Sequence, residues 1–170
     1  MVWERIPASE WQQQRGHVHR YRMAADLILE GQVVIDAACG IGYGASVLTE
    51  GKDITYFGVD RHDAIDPQFL PHGWFSAQDL NTWQPDFEFD VAVCFETLEH
   101  LADYRHMVSW LKRAKCCVIL SVPTVPTKHM NEFHLHDFTV DDIVALFDDA
   151  AHIDITPQPD ELSHIFHITT

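Results

Sequence analysis

From His17 to Glu30, apolar residues recur at three- and four-residue spacings: Val18, Tyr21, Ala24, Ala25, Ile28 and Leu29. This is the period of one helix face, and Gly31 supplies the stop. Residues 33–38 then form a nearly continuous apolar run after Gln32, the pattern of a parallel strand covered on both faces. Gly42 to Thr49 reads as a helix and Ile54 to Val59 as a second strand. The segment Arg61 to His72 contains Pro67 and Pro71, so no full helix is expected there. Trp74 to Ala77 is a short third strand and Phe89 to Phe95 a fourth. Tyr104 to Ala114 is a helix with Met107, Val108 and Leu111 on one side, and Cys116 to Val122 is the fifth strand. Thr139 is placed to cap a helix from Val140 to Phe147. His152 to Thr156 and Ile165 to Thr169 are short enough, and close enough in sequence, to pair as an antiparallel hairpin through the Pro157 to Ser163 loop.

Strands alternating with helices of this length predict an α/β fold. The expected form is a Rossmann-like, doubly wound, mostly parallel sheet with an antiparallel C-terminal hairpin. Such sheets bind ligands beyond the carboxyl ends of their strands, beside the first strand. The residues there are Asp36 to Gly44, Asp60, Asp79, Phe95, Glu96, Val122 and Pro123.

At 170 residues the chain is read as one domain, with residues 1–16 as an N-terminal extension. The net charge of −15 repels phosphate backbones and argues against nucleic acid as a partner. No apolar run approaches the roughly 20 residues of a membrane span, and the start has no signal-peptide core. Cys39, Cys94, Cys116 and Cys117 lie in or beside apolar runs without zinc-finger spacing. Buried, reduced thiols and a cytoplasmic location are therefore expected.

The chemistry centres on Asp36-Ala37-Ala38-Cys39-Gly40-Ile41-Gly42-Tyr43-Gly44, between a strand and a helix start. Glycine serves where the backbone turns with positive φ or touches a ligand closely. Asp60, at the end of the second strand, stands where an acid commonly grips ribose hydroxyls. Together they point to an adenosine-containing cofactor. The third glycine comes one residue too early for the dinucleotide pattern G-x-G-x-x-G.

This turn resembles motif I of the class I S-adenosylmethionine-dependent methyltransferases, with Ile41 where Thr or Ser is usual. His19-Arg20-Tyr21, with Ala24-Ala25, resembles the family's entry helix. Phe95-Glu96-Thr97-Leu98-Glu99-His100-Leu101 resembles its segment after the fourth strand. Glu132 to Thr139 resembles its Phe-His-x-x-x-Phe-Thr segment before the last large helix. The likeness spans about residues 17 to 148. It implies S-adenosylmethionine as cofactor and S-adenosylhomocysteine as product. The cofactor would be held by Arg20, Tyr21, Asp36, Ala38, Gly40, Gly42, Tyr43, Asp60, Arg61, Asp79, Leu80, Phe95 and Glu96. In this reading Asp36 takes the ammonium directly or through water, Asp79 accepts from the adenine amino group, Leu80 covers the ring, and Tyr43 closes over the methionyl part. The sequence departs from many family members in having a short stretch between the second and third strands and no inserted lid after the fourth or fifth.

The implied activity is methyl transfer, with oxygen of a small molecule or glycan as the expected target. Nucleic acid or protein as acceptor is one alternative, and a catalytically silent cofactor-binding or interaction module is another. A hydroxyl acceptor needs help losing its proton, and histidine titrates near neutrality. His134 and His100 are the candidate catalytic residues, with His136 behind them. His129, His134 and His136 lie near Glu132 and Asp137, but no zinc-ligand spacing is convincing, so no metal is expected. The missing lid and the tryptophans Trp3, Trp11 and Trp83, taken as exposed, point to a homodimer or larger assembly.

Overall fold

The computed structural model describes residues 9–61, 65–159 and 161–170. Seven strands form one sheet: β1 (Val33–Ala37), β2 (Thr55–Asp60), β3 (Trp74–Ala77), β4 (Val91–Phe95), β5 (Cys117–Pro123), β6 (His152–Pro157) and β7 (Ser163–Thr169). Their order across the sheet is β3-β2-β1-β4-β5-β7-β6. The pairs from β3 to β5 are parallel, and β7 runs antiparallel to both β5 and β6. The fold is thus the α/β, Rossmann-like sheet with an antiparallel end that the strand–helix alternation predicts. The chain runs outward from β1 to β3, then crosses to β4 on the other side of β1. This reversal opens a crevice above the carboxyl ends of β1 and β4.

Among the described residues, four α-helices cover the sheet: α1 (Arg15–Leu27), α2 (Tyr43–Leu48), α3 (Tyr104–Leu111) and α4 (Val140–Leu146). Alternate residues of each strand point to opposite faces. Val34, Tyr56, Val91, Val93 and Ile119 pack with Tyr21, Ala24, Ile28, Ala45 and Leu48 of the α1–α2 side. Ile35, Ala92, Cys94, Val118, Leu120 and Phe166 pack with Met107, Leu111, Ile143 and Phe147 of the α3–α4 side. Both faces of the central strands are buried, which explains their continuous apolar runs.

Several boundaries differ from the sequence reading. Helix α1 stops at Leu27, because Ile28 turns extended and buries its side chain. Its last carbonyls are bonded by Lys52, whose ammonium donates to Ala25 and, at 2.7 Å, to Ile28. Gly31 lies in the following turn with φ +79. The two prolines leave a 3-10 helix, Pro67–His72, in the stretch where no full helix was expected. Strand β4 begins at Val91 because the Asp90 side chain accepts from the Val33 amide at 2.8 Å, fastening the lead-in to β1. Helix α4 carries a full capping box between Thr139 and Asp142.

Cys39, Cys94 and Cys117 are buried, but Cys116 is exposed. It precedes the first residue of β5, and its side chain alternates away from that of Cys117. Trp11 is half-buried against Tyr43 and Phe69, and Trp83 against Trp110, so neither is the exposed aromatic expected. Trp3 lies outside the described residues. Trp74 on the edge strand β3 is instead 69% exposed. Among the described residues, no helix is long and apolar enough to cross a membrane.

Candidate functional site

At the end of β1 the backbone takes three left-handed residues within five: Ala38 (φ 64), Gly40 (φ 60) and Gly42 (φ 92). The first is not a glycine, a local strain of the kind that clusters at ligand sites. It is held by amide bonds from Ala38 and Cys39 to the Val59 carbonyl, at 2.7 and 3.1 Å. The Gly40 amide donates to Asp60 Oδ2 at 2.9 Å, so the acid at the end of β2 braces the turn. A Cβ on Gly40 would meet nothing within 4 Å, whereas one on Gly42 would come 3.0 Å from the Phe75 ring. Gly40 therefore faces open space and Gly42 faces protein.

Beneath the turn lies Asp36, 1% exposed. Tyr21 of α1 donates to its Oδ2 at 2.9 Å, and Tyr56 of β2 donates to the same oxygen at 2.6 Å. Burial pushes its carboxyl up to about 7, although the two tyrosine bonds pull the other way. Gly44 makes this packing possible, since a Cβ there would overlap the Tyr21 ring and sit 2.8 Å from Asp36 Oδ2. Two protein hydroxyls thus already meet the Asp36 carboxylate that was expected to take the ammonium directly or through water, and the residue supports the turn from below. Tyr43 is also buried, stacked on Trp11 with centroids 5.4 Å apart and bonded through its hydroxyl to His17 at 3.0 Å.

On the β4 side, Phe95 meets Tyr21 edge to face. Glu96 follows with φ 49, another left-handed non-glycine. Its carboxylate accepts from Ser121 at 2.7 Å and Ser163 at 2.8 Å and lies 3.5 Å from Arg20 Nη1. Arg20 is 2% exposed, and its Nε and Nη1 make no hydrogen bond within the described protein. Arg20, Tyr21, Asp36, the glycine turn, Asp60, Phe95 and Glu96 therefore gather at one rim. Just past β3, where the Gln78 amide donates to the Asp60 carbonyl at 2.8 Å, Asp79 is exposed and accepts from the amide and side chain of Asn81 at 3.0 and 2.9 Å, which holds its carboxyl below the usual range. Leu80, 5% exposed, belongs to the α3–α4 core, and Arg61 is exposed.

The histidines divide. His136 bonds the Leu101 carbonyl at 2.9 Å and packs against Tyr104. His100 and His134 meet edge to face with centroids 4.6 Å apart, and with the buried Glu99 they bring one donor atom each within 4.8 Å of the others. The histidine group considered from sequence is thus replaced by a different one. What joins it is the connection from β5 to α4, residues 124–139, which folds back onto the turn after β4: the Leu135 and His136 amides donate to the Glu99 carbonyl at 2.7 and 3.2 Å. The roles of Tyr56, Ser121, Thr127 and Ser163 carry no sequence signal, because each depends on a partner 7 to 67 residues away.

A family model described as "Methyltransferase domain" matches residues 10–167. Phosphoethanolamine N-methyltransferase of Triticum aestivum is 30% identical over 115 residues, covering 61% of this chain; the match spans 23% of that relative's length. Among solved structures, magnesium protoporphyrin IX methyltransferase from Synechocystis PCC 6803 with bound S-adenosylmethionine superposes with a TM-score of 0.70 at 19% identity, covering 99% of this chain and 86% of that one. The methyltransferase in complex with the Haloferax volcanii Trm112 activator gives 0.76 at 15% identity, covering 95% and 92%. The 1,6-didemethyltoxoflavin-N1-methyltransferase of Burkholderia thailandensis, with S-adenosylhomocysteine bound, gives 0.65 at 16% identity, covering 95% and 83%.

Proposed function

The chain belongs to the methyltransferase-domain family, and from that premise we propose that it is a class I methyltransferase that transfers a methyl group to an oxygen of a small molecule or glycan. The cofactor is S-adenosylmethionine, and S-adenosylhomocysteine is the product. The observation that carries the reading is the strained turn at Ala38–Gly42, braced by Asp60 and open to solvent at Gly40. In this reading Ala38, Gly40 and Gly42 pass along the methionyl part. Asp60 takes the ribose hydroxyls, with Arg61 beside it. Arg20, buried with spare N–H groups, takes the cofactor's carboxylate. Glu96 takes the ammonium side, Asp79 and Leu80 border the adenine, and Asp36, Tyr21, Tyr43 and Phe95 fix the floor.

Transfer is an in-line displacement. An oxygen lone pair of the acceptor forms the new O–C bond while the C–S bond breaks, and its electrons return to sulfur as a neutral thioether. The acceptor's proton must leave. His134 and His100 stand on the β4–β5 rim to take or direct it. The acidic surface favours a small acceptor over nucleic acid. We place the protein in the cytoplasm, as one domain over residues 1–170, and as a homodimer joined at the β3 edge, where Trp74 is 69% exposed and Leu70, in the 3-10 helix leading into the strand, is 52% exposed.

The experiment is calorimetry with S-adenosylhomocysteine, followed by transfer of labelled methyl to pooled acceptors. Binding and labelling of an O-linked product support the proposal. Tight NAD binding with no S-adenosylhomocysteine binding overturns it. His134→Ala and His100→Ala are expected to lower turnover by about 10²–10⁴-fold while leaving S-adenosylhomocysteine affinity nearly intact.

A further inference from the structure

We propose that Glu99, His100 and His134 form a site for a divalent transition-metal cation, zinc by ligand type, whose open coordination positions take the acceptor's oxygen. The oxygen-binding half of this inference rests on the methyl-transfer reading above; the cation site stands on its own geometry.

One donor atom from each of the three side chains lies within 4.8 Å of the other two, a spacing that a single ion can bridge. The donor set is one carboxylate and two imidazoles. Imidazole suits zinc and its first-row neighbours, while magnesium and calcium prefer all-oxygen sites. Three protein ligands also leave a fourth position open, the arrangement of catalytic rather than structural zinc.

The surroundings are built as a metal site requires. His100 Nδ1 lies 3.1 Å from the Phe133 carbonyl, which can only accept, so Nδ1 carries the proton and Nε2 the lone pair. His134 Nδ1 lies 2.7 Å from Thr127 Oγ1. With that nitrogen donating to the hydroxyl, Nε2 of His134 likewise carries a lone pair. A second partner that fixes the tautomer and orientation of each ligating imidazole is the usual support of such centres. Thr127 is itself fixed: it is 5% exposed, and its amide donates to Asp137 Oδ1 at 2.7 Å. Glu99 is 1% exposed, and its backbone carbonyl clamps the His134 loop through the Leu135 and His136 amides. The ion joins two segments distant in sequence, the turn after β4 and the connection after β5.

The site also answers a chemical need. A bound divalent cation lowers the pKa of an oxygen it holds and orients that oxygen toward an electrophile. An acceptor hydroxyl on the ion would release its proton to solvent and present its oxygen lone pair to the sulfonium methyl. His100 and His134 would then act on the acceptor through the ion.

The test is titration of zinc chloride into the purified full chain by calorimetry in a non-chelating buffer, with manganese and magnesium chlorides in parallel. One equivalent of zinc is expected to bind saturably, manganese more weakly, and magnesium weakest. His100→Ala and His134→Ala are expected to weaken zinc binding at least ~10-fold, while the exposed His129→Ala binds as the wild type does. Thr127→Val, which keeps all three ligands, is expected to weaken it by a smaller factor. Each variant is also titrated with S-adenosylhomocysteine, and retained affinity shows an intact fold. Absence of saturable zinc binding to the wild type, or unchanged binding in both histidine variants, overturns the site. Failure of the wild type to bind S-adenosylhomocysteine removes the methyl-transfer reading instead, and the zinc titrations still decide the cation site.

Discussion

Tyr56 donates its hydroxyl proton to Asp36 Oδ2 across 2.6 Å, so the acid at the head of the glycine turn is tied to the neighbouring strand. Tyr21 reaches the same oxygen from α1, at 2.9 Å. One carboxylate thus joins β1, β2 and the entry helix under the floor of the site.

That position makes stability depend on pH. Asp36 ordinarily ionises near 3.8, and burial raises it to about 7 in the folded protein. The folded state therefore holds a proton that the unfolded chain releases. Its contribution is full below about pH 4 and is lost as pH rises through about 7, a change of about 4 kcal/mol at most. Asp36→Asn is expected to flatten this part of the stability profile, measured by urea unfolding from pH 4 to 8. An unchanged slope would show that Asp36 does not carry the effect.

Gly40 and Gly44 should fail in different ways. At Gly40 a Cβ meets open space, and Gly40→Ala is expected to cost about 1–2 kcal/mol of left-handed strain while lowering cofactor affinity at least about tenfold. At Gly44 a Cβ meets the Tyr21 ring and Asp36, and Gly44→Ala is expected to cost about 1–3 kcal/mol by overpacking. Thermal melts paired with S-adenosylhomocysteine calorimetry separate the two. A Gly40→Ala protein that binds normally would make that glycine purely a turn residue.

Asp60→Ala removes the acceptor for the Gly40 amide as well as the proposed ribose contact. Cofactor affinity is expected to fall by about 1–3 kcal/mol. Calorimetry reads the loss directly, and wild-type affinity in the variant would place the ribose elsewhere.

The β3 edge should set the oligomeric state. Trp74→Glu puts a charge on the exposed edge, and light scattering is expected to show a dimer for the wild type and a monomer for the variant. A wild-type monomer at high concentration would refute the dimer.

The succession of strands and helices was legible because its signals are local and repeated: Val33-Val34-Ile35 and Val91-Ala92-Val93 announce buried parallel strands wherever they stand, whereas the order of those strands across the sheet is not written in any one of them. The glycine turn and Asp60 were legible because their spacing reflects a backbone need. The tyrosine partners of Asp36 were not, since they lie 15 and 20 residues away on separate elements. Leu80 follows the same lesson: its neighbours in sequence do not show that it is also part of the core cluster on the α3–α4 side. Glu99 was noticed only as a companion of His100, because the loop that brings His134 to it closes through backbone amides that carry no residue signature.

Ser163, the first residue of β7, hydrogen-bonds Glu96 on the rim at 2.8 Å, and β7 fills the gap between β5 and β6. During synthesis, β1 to β5 emerge from the ribosome well before residues 163–169. Until then β5 keeps an unpaired edge, and the nascent domain is open to pairing with other chains. Glu96 lacks one of its two serine donors for the same interval. Docking of β7 thus does two things in one event: it covers the edge of β5 and gives Glu96 its second serine donor, so a chain lacking β7 would carry the glycine turn without that rim contact.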